Sequence, residues 1–370
     1  MARLGDLFLH IRNGANIKQG LDNTGYPITR IETISNRTVD RNKMGYAGIT
    51  DLEKYSDFVM QDGDILMSHI NSETHLGKTA LYEKEGNEII IHGMNLLSLR
   101  PNKDLITSKY AFYYLSSQSF LRQIPNITKK SVNQASFTVS ALKELVFPLM
   151  SIEKQKKITV DLDKVNDLIS LRKQQLSKLD ELVKSRFIEM FGDPITNSKC
   201  LPTNNLGKVL LLKAGDFTAA SDIAAEPTTE NIYPCYGGNG IRGYVAEYNQ
   251  EGSYSLIGRQ GALSGNVQYA TGKFKNTEHA LLVTPLIEMN SIWLNHLLIN
   301  LDLQRYQTGA AQPGLSVKNL QEIPIIEVSK EDQNQFAAFV EQTDKSKFEI
   351  QKSLEKLETL KKALMQKYFE

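Results

Sequence analysis

Residues 238–245 of this 370-residue chain read GNGIRGYV, a glycine spacing that can cradle the phosphates of a nucleotide. The dinucleotide form of the pattern needs a helix opening directly behind it, so that backbone N–H groups meet the pyrophosphate. Here residues 244–248 read as strand or loop. The kinase form needs a VAIK lysine, an HRD loop and a DFG, and the chain has none of them. A GxxxxGK-Ser/Thr loop, a GxSxG elbow and an Asn/Asp-Pro-Pro-Tyr motif for gripping an extruded base are also missing. His10, His69, His75, His92, His279 and His296 are scattered, without HExxH or Cys/His ligand spacing. Cys200 and Cys235 have no evident base partner. The residue pattern is that of a non-catalytic chain with no metal site.

Side chains suited to binding are better placed. Arg259 and Gln260 follow the apolar run SYSLIG in a glycine-rich context, and Arg and Gln are the residues that contact guanine and adenine edges bidentately. Just upstream, residues 233–243 carry aromatics, Asn239 and Arg242 on what reads as a flexible loop. Nearer the N-terminus, Lys78 and the run Lys129, Lys130, Asn133 and Gln134 offer cations and amides on loops. The counterpart of that run is Gln307, Thr308 and Gln312. Any single one of these charges could be an ordinary solvated group; their recurrence at matching places favours a binding loop.

The matching places come from an internal repeat. Shifted by 178 positions, residues 134–191 lie on residues 312–369 without a gap. Gln134, Leu142, Ser151, Glu153, Gln155, Leu176, Leu179 and Phe191 meet Gln312, Leu320, Ser329, Glu331, Gln333, Leu354, Leu357 and Phe369. A repeat of this kind decides the architecture before any local feature does. Residues 1–150 and 192–328 read as two similar α+β domains, opened by LGDL and LGKV. Strands are expected over residues 64–69, 80–82, 88–92, 253–258 and 280–284, and helices over residues 108–123 and 292–300. From Leu4 to Gln134 the chain advances 130 residues, from Leu206 to Gln312 only 106, so the copies differ in their loops.

Residues 151–191 and 329–370 read as two long helices. The first carries Leu162, Val165, Leu176, Leu179 and Val183 on a seam of alternating three- and four-residue spacing; the second carries Val340, Ile350, Leu354, Leu357 and Leu364. Arg172 interrupts the first seam where the second has Ile350. Gly192 and Pro194 should stop the first helix. Each helix exposes a stripe it cannot bury alone, so an antiparallel pair is expected, about 57 Å long. Domain, helix, domain, helix then gives a pseudo-two-fold chain and a ruler for two separated half-sites.

Composition bounds the class. The hydrophobic share is 41%, the charged share 23% and the net charge +1, so bulk charge argues for neither nucleic acid nor membrane. The opening residues lack a signal-peptide run, no stretch is apolar enough to span a membrane, and two isolated thiols suit a reducing cytoplasm.

The run Gln-x-x-Leu/Phe-Ser/Thr-x-x-x-Leu, then Pro, then Ser-x-Glu-x-Gln and a long helix, occurs twice. With RFIEMFGDP at residues 186–194 and LIGRQGALSGNV at residues 256–267, the whole chain resembles the specificity subunit of type I restriction-modification systems. That resemblance implies two target-recognition domains, each reading one half of a split, asymmetric double-stranded DNA sequence. It implies that the helices space the domains and dock two methyltransferase subunits, with two restriction/translocase subunits outside. S-adenosylmethionine, ATP and Mg would serve those partners, and this chain would bind no cofactor. The chain is short for the family and nearly neutral, which implies that tight binding draws on the partners. Equivalent duplex faces recur about every 34–36 Å, which sets the expected half-site separation. The alternatives are a non-catalytic protein-interaction scaffold built on the coiled-coil rod, and a nucleotide enzyme using the GxGxxG loop.

Overall fold

The structure is a computed structural model that describes residues 1–17, 24–34, 37–131, 134–309 and 313–370. Its longer helices are α1 (Ser108–Leu115), α2 (Ile152–Phe191), α3 (Ser291–Asn300) and α4 (Lys330–Phe369). The chain forms two compact units, Met1–Leu171 with Ser353–Glu370, and Arg172–Lys352. Each unit therefore takes part of α2 and part of α4. No helix among the described residues is long and apolar enough to cross a membrane.

In the first unit four strands form an antiparallel sheet in the order Phe8–Asn13, Leu97–Pro101, Ile65–Met67, Thr79–Leu81. Successive side chains of a strand point to opposite faces. Ile65 and Met67 therefore join Tyr110, Tyr114 and Leu115 of α1, while Leu66 joins Ile34, Met60 and Tyr82 on the other side. Both faces are covered, which accounts for an unbroken ILM run in place of alternation.

In the second unit six strands run in the order Leu210–Ala214, Ala280–Pro285, Gln250–Gly258, Val267–Asn276, Tyr233–Gly237, Gly240–Val245. All neighbours are antiparallel except Val267–Asn276 with Tyr233–Gly237. Ile257, Leu281 and Val283 face Trp293, Leu294 and Leu297 of α3; Leu256, Ala270 and Phe274 pack on the opposite face.

Repeated residues do the same work in both units. The backbone N–H of Leu4 donates to Leu145 O at 2.9 Å, and that of Leu206 to Ile323 O at 2.8 Å. Gln155 Oε1 accepts from the backbone of Thr107, at the start of α1, while its Nε2 donates to Leu105 O and Met150 O. Gln333 Oε1 accepts from Asn290 N, at the start of α3, while its Nε2 donates to Val328 O. A helix start leaves backbone donors and acceptors that need partners, and one buried amide per unit supplies them.

The long helices pack within each unit. In the first, Ile158, Leu162 and Val165 of α2 are buried, and Leu364, Tyr368 and Phe369 of α4 reach the same core. Tyr368 Oη donates to Asp161 Oδ2 at 2.8 Å. In the second, Phe187 and Phe191 of α2 meet Phe336 of α4 with ring centroids 5.4 and 5.8 Å apart, and Lys347 pairs with Asp180 at 2.6 Å. Residue numbers rise along one segment as they fall along the other, so the pairing there is antiparallel. Val183, Val340 and Leu354 are buried; Leu176, Leu179, Ile350, Leu357 and Leu364 are half-buried. Arg172 Nη1 donates to Gln175 of its own helix at 2.8 Å. Gly192, at φ 76°, ends α2.

Several sequence-based expectations are corrected. Residues 88–92 are not a strand: only Ile91 makes isolated bridges, to Ile28 and Val59. The backbone of residues 90–92 bonds in isolated pairs to two different segments, residues 27–29 and 58–60, and Glu88 is held by Arg41 and Tyr82, so no continuous ladder forms. Residues 108–123 are not one helix; Ser117 caps a new turn by accepting from Phe120 N, and Pro125 opens another. Residues 233–243 are not a flexible loop but the hairpin of Tyr233–Gly237 and Gly240–Val245.

Candidate nucleic-acid interface

That hairpin disposes of the nucleotide pattern. The chain continues behind GNGIRG as the strand Gly240–Val245, so no helix N-terminus faces a phosphate there. Cys235 lies buried in the preceding strand, and burial pushes its thiol up, away from the thiolate a nucleophile needs. Among the described residues no group of three His, Cys, Asp or Glu side chains could hold a metal ion.

In the second unit several loops converge at the end of the central strand Gln250–Gly258. Gly258 allows the closest approach: a Cβ there would lie 2.0 Å from Gly238 O in the hairpin turn. Asn239, exposed in that turn, accepts at Oδ1 from Asn266 Nδ2 at 2.8 Å. Arg259 is fixed through its backbone: its N–H donates to His279 O at 3.1 Å and its O accepts from Leu315 N at 2.9 Å. Its side-chain Nε is buried with no hydrogen-bond partner among the described residues, although a buried donor normally finds one. Gln260 Oε1 lies 2.9 Å from His279 Nδ1.

The segment after α3 closes the group. Thr308 and Gly314 exchange backbone hydrogen bonds at 2.9 and 3.0 Å, and Gly314 also bridges to Gln260. Gln307 Nε2 donates to Ser264 O at 2.6 Å, so this amide braces the loop of residues 259–266. Thr308 is exposed. Arg242 is exposed on the hairpin strand. Gln312 lies outside the described residues.

The first unit repeats the arrangement with different side chains. Lys129–Lys130 is a short strand, not a loop; it pairs with Ala135–Ser136, which pairs in turn with Ile70–Asn71 behind the strand Ile65–Met67. In both units, then, the segment after the domain helix folds back onto the loop that follows a central strand. Lys129 and Gln134 are exposed, and Lys130 is paired with Glu73 at 2.9 Å. Lys78 and Lys130 line a cavity of about 250 Å³ with Arg37 and Glu73. Asn133 lies outside the described residues.

Sequence reasoning named Arg259 and Gln260 and, separately, Gln307 and Thr308; the structure brings them to one place, and it adds His279, Asn266 and Arg37, which the sequence reading did not single out. His279 sits in a turn ahead of the strand Ala280–Pro285 and had no motif to mark it. The only available signal was its position at a turn beside a repeated loop.

The sequence profile of the type I restriction modification DNA specificity domain matches residues 1–181 and 204–362. The chain is similar to the MjaX specificity subunit assigned to a type I restriction enzyme of Methanocaldococcus jannaschii, 39% identical over 206 residues, 56% of this chain and 48% of that one. It is also similar to the EcoprrI specificity subunit of Escherichia coli, 35% identical over 261 residues, 65% of this chain and 62% of that one. The chain thus matches about half to three fifths of the length of these curated relatives. Among solved structures, the S subunit of a type I restriction-modification system from M. genitalium covers 100% of this chain and 95% of its own at a TM-score of 0.62 and 18% identity. A chain from a type I R-M system solved for its assembly and conformational transition covers 100% and 96% at a TM-score of 0.57 and 16% identity. At those identities the likeness is one of fold. With the profile matched in both halves of the repeat, the chain belongs to the type I restriction modification DNA specificity family.

Proposed function

We propose that this chain is the non-catalytic, sequence-reading subunit of a type I restriction-modification complex. Each unit would read one half of a bipartite, asymmetric target in double-stranded DNA. The observation that carries this reading is the same loop convergence in both units on equivalent scaffolds, with different side chains at equivalent positions. A shared scaffold with unlike loops is what two unlike half-sites require. Exposed Lys129 would meet phosphate, and Arg259, Gln260, Asn239 and Arg242 would face base edges.

Two methyltransferase subunits would dock against the long helices, with two restriction/translocase subunits outside them. S-adenosylmethionine, ATP and Mg would be used by those partners, in the cytoplasm, and this chain would supply the address alone. The test is selection from a randomised duplex library by the full chain with its methyltransferase subunit. Two enriched, different half-sites separated by unread bases are expected. Binding without sequence preference would overturn the reading in favour of a protein-interaction scaffold.

A further inference from the structure

His279 is held at both ring nitrogens. Its Nε2 lies 3.1 Å from Glu278 Oε1, and Glu278 Oε2 accepts from the backbone N–H of Thr218 at 3.3 Å. Its Nδ1 lies 2.9 Å from Gln260 Oε1. Gln260 is pinned along its backbone as well. It bridges to Gly314, the next N–H donates from Gly261 to Pro313 O at 2.8 Å, and Arg259 O accepts from Leu315 N. An exposed glutamine ordinarily rotates and flips its amide, so its oxygen and nitrogen exchange places. Here the main chain fixes where the side chain starts, and the imidazole, donating from Nε2 to Glu278 and from Nδ1 to Gln260 Oε1 when both ring nitrogens carry a proton, fixes which end of the amide faces inward.

We propose that His279, steadied by Glu278, is a positioning residue that locks the Gln260 amide to read an adenine edge in the major groove. With Oε1 against the imidazole, Nε2 is the outward donor for adenine N7, and the second lone pair of Oε1 is left for adenine N6–H. Reading adenine this way needs both amide atoms in known places at once. Pre-setting them spares the ordering cost that an unheld side chain carries at the moment of binding. His279 needs no contact with DNA for this role.

The inference rests on the DNA-reading function proposed above, and the test separates the two. The full chain with its methyltransferase subunit is used to select from a randomised duplex library, as wild type and as Gln260→Ala, His279→Ala and His279→Asn. The wild type should show adenine at one position of one half-site. Gln260→Ala and His279→Ala should each relax that same position by about tenfold or more, the discrimination one bidentate side chain supplies. The other half-site and the melting temperature should stay unchanged. His279→Asn, whose amide can take the place of Nδ1, should keep the preference. A wild type with no sequence preference would overturn both readings. A sequence-selective wild type whose adenine preference survives His279→Ala, or is lost equally in His279→Asn, would overturn this inference alone.

Discussion

Gln155 and Thr107, 48 residues apart in sequence, are joined by a 2.8 Å hydrogen bond from the Thr107 backbone N–H to the Gln155 side-chain oxygen. Gln155 is fully buried, and the bond ties the first turn of α2 to the start of α1. Replacing Gln155 with Ala leaves three backbone groups without their partner. The expected loss is about 3 kcal/mol, the scale of unsatisfied buried polar groups. Gln333→Ala, in the second unit, should cost a similar amount. Urea unfolding of both variants checks this; a loss under about 1 kcal/mol, the range of an ordinary surface change, would contradict it.

Stability should fall as the solution is acidified from about neutral. Burial lowers His92 to about 3 and His296 to about 4; burial and nearby Arg12 lower His10 to about 4. These rings stay neutral in the fold, while in the unfolded chain they take up protons near 6.5. The unfolded state therefore binds more protons below 6.5, and the contribution is complete above that value and lost as pH falls toward 4. Glu88, held at about 2 by hydrogen bonds from Arg41, adds a further loss below its ordinary 4.5. Thermal melts between pH 7 and 4 read the slope, and His92→Gln should flatten it. A melting temperature constant over that range would contradict the burial of these rings.

Phosphate and base contacts should separate by salt. Lys129→Ala should weaken all duplexes alike and reduce the slope of log K against log salt by about 0.9, the share of one phosphate contact. Arg259→Ala should cost about 1–3 kcal/mol on the preferred duplex and little on others. Titrations at three salt concentrations distinguish them; equal losses on matched and unmatched duplexes for Arg259→Ala would contradict a base-reading role.

The helices were legible in the sequence and the recognition surface largely was not. A long helix writes itself as spacing: Leu162, Val165 and Val183 fall on the seam, and each is buried. The offset of 178 positions likewise exposed Gln155 and Gln333 before their hydrogen bonds were seen. Phe187 escaped the spacing because, like Phe191, it packs against Phe336 and the domain core as well as the helix seam. The hairpin at residues 233–245 was obscured by its glycines, which read as looseness yet form a tight two-residue turn. His279 carried only a weak signal, because Glu278 is merely its neighbour in the same turn and Gln260, 19 residues away, meets it only through tertiary folding.

If the long helices set the gap between half-sites, their length is part of the target. Removing one heptad from each of α2 and α4 keeps the apolar seam in phase and should shorten or abolish the tolerated spacer. Library selection with the shortened chain reads the spacer directly. The same spacer as wild type would contradict a ruler role for the helices.

The central claim is that one chain reads two different half-sites on behalf of a methyltransferase. Its most direct test is single-molecule sequencing of methylated bases in a host expressing this chain with its methyltransferase subunit. The expected result is one bipartite, asymmetric motif with unread bases between its halves, absent when this chain is omitted. Methylation that is unchanged without this chain, or that follows a single contiguous motif, would contradict it.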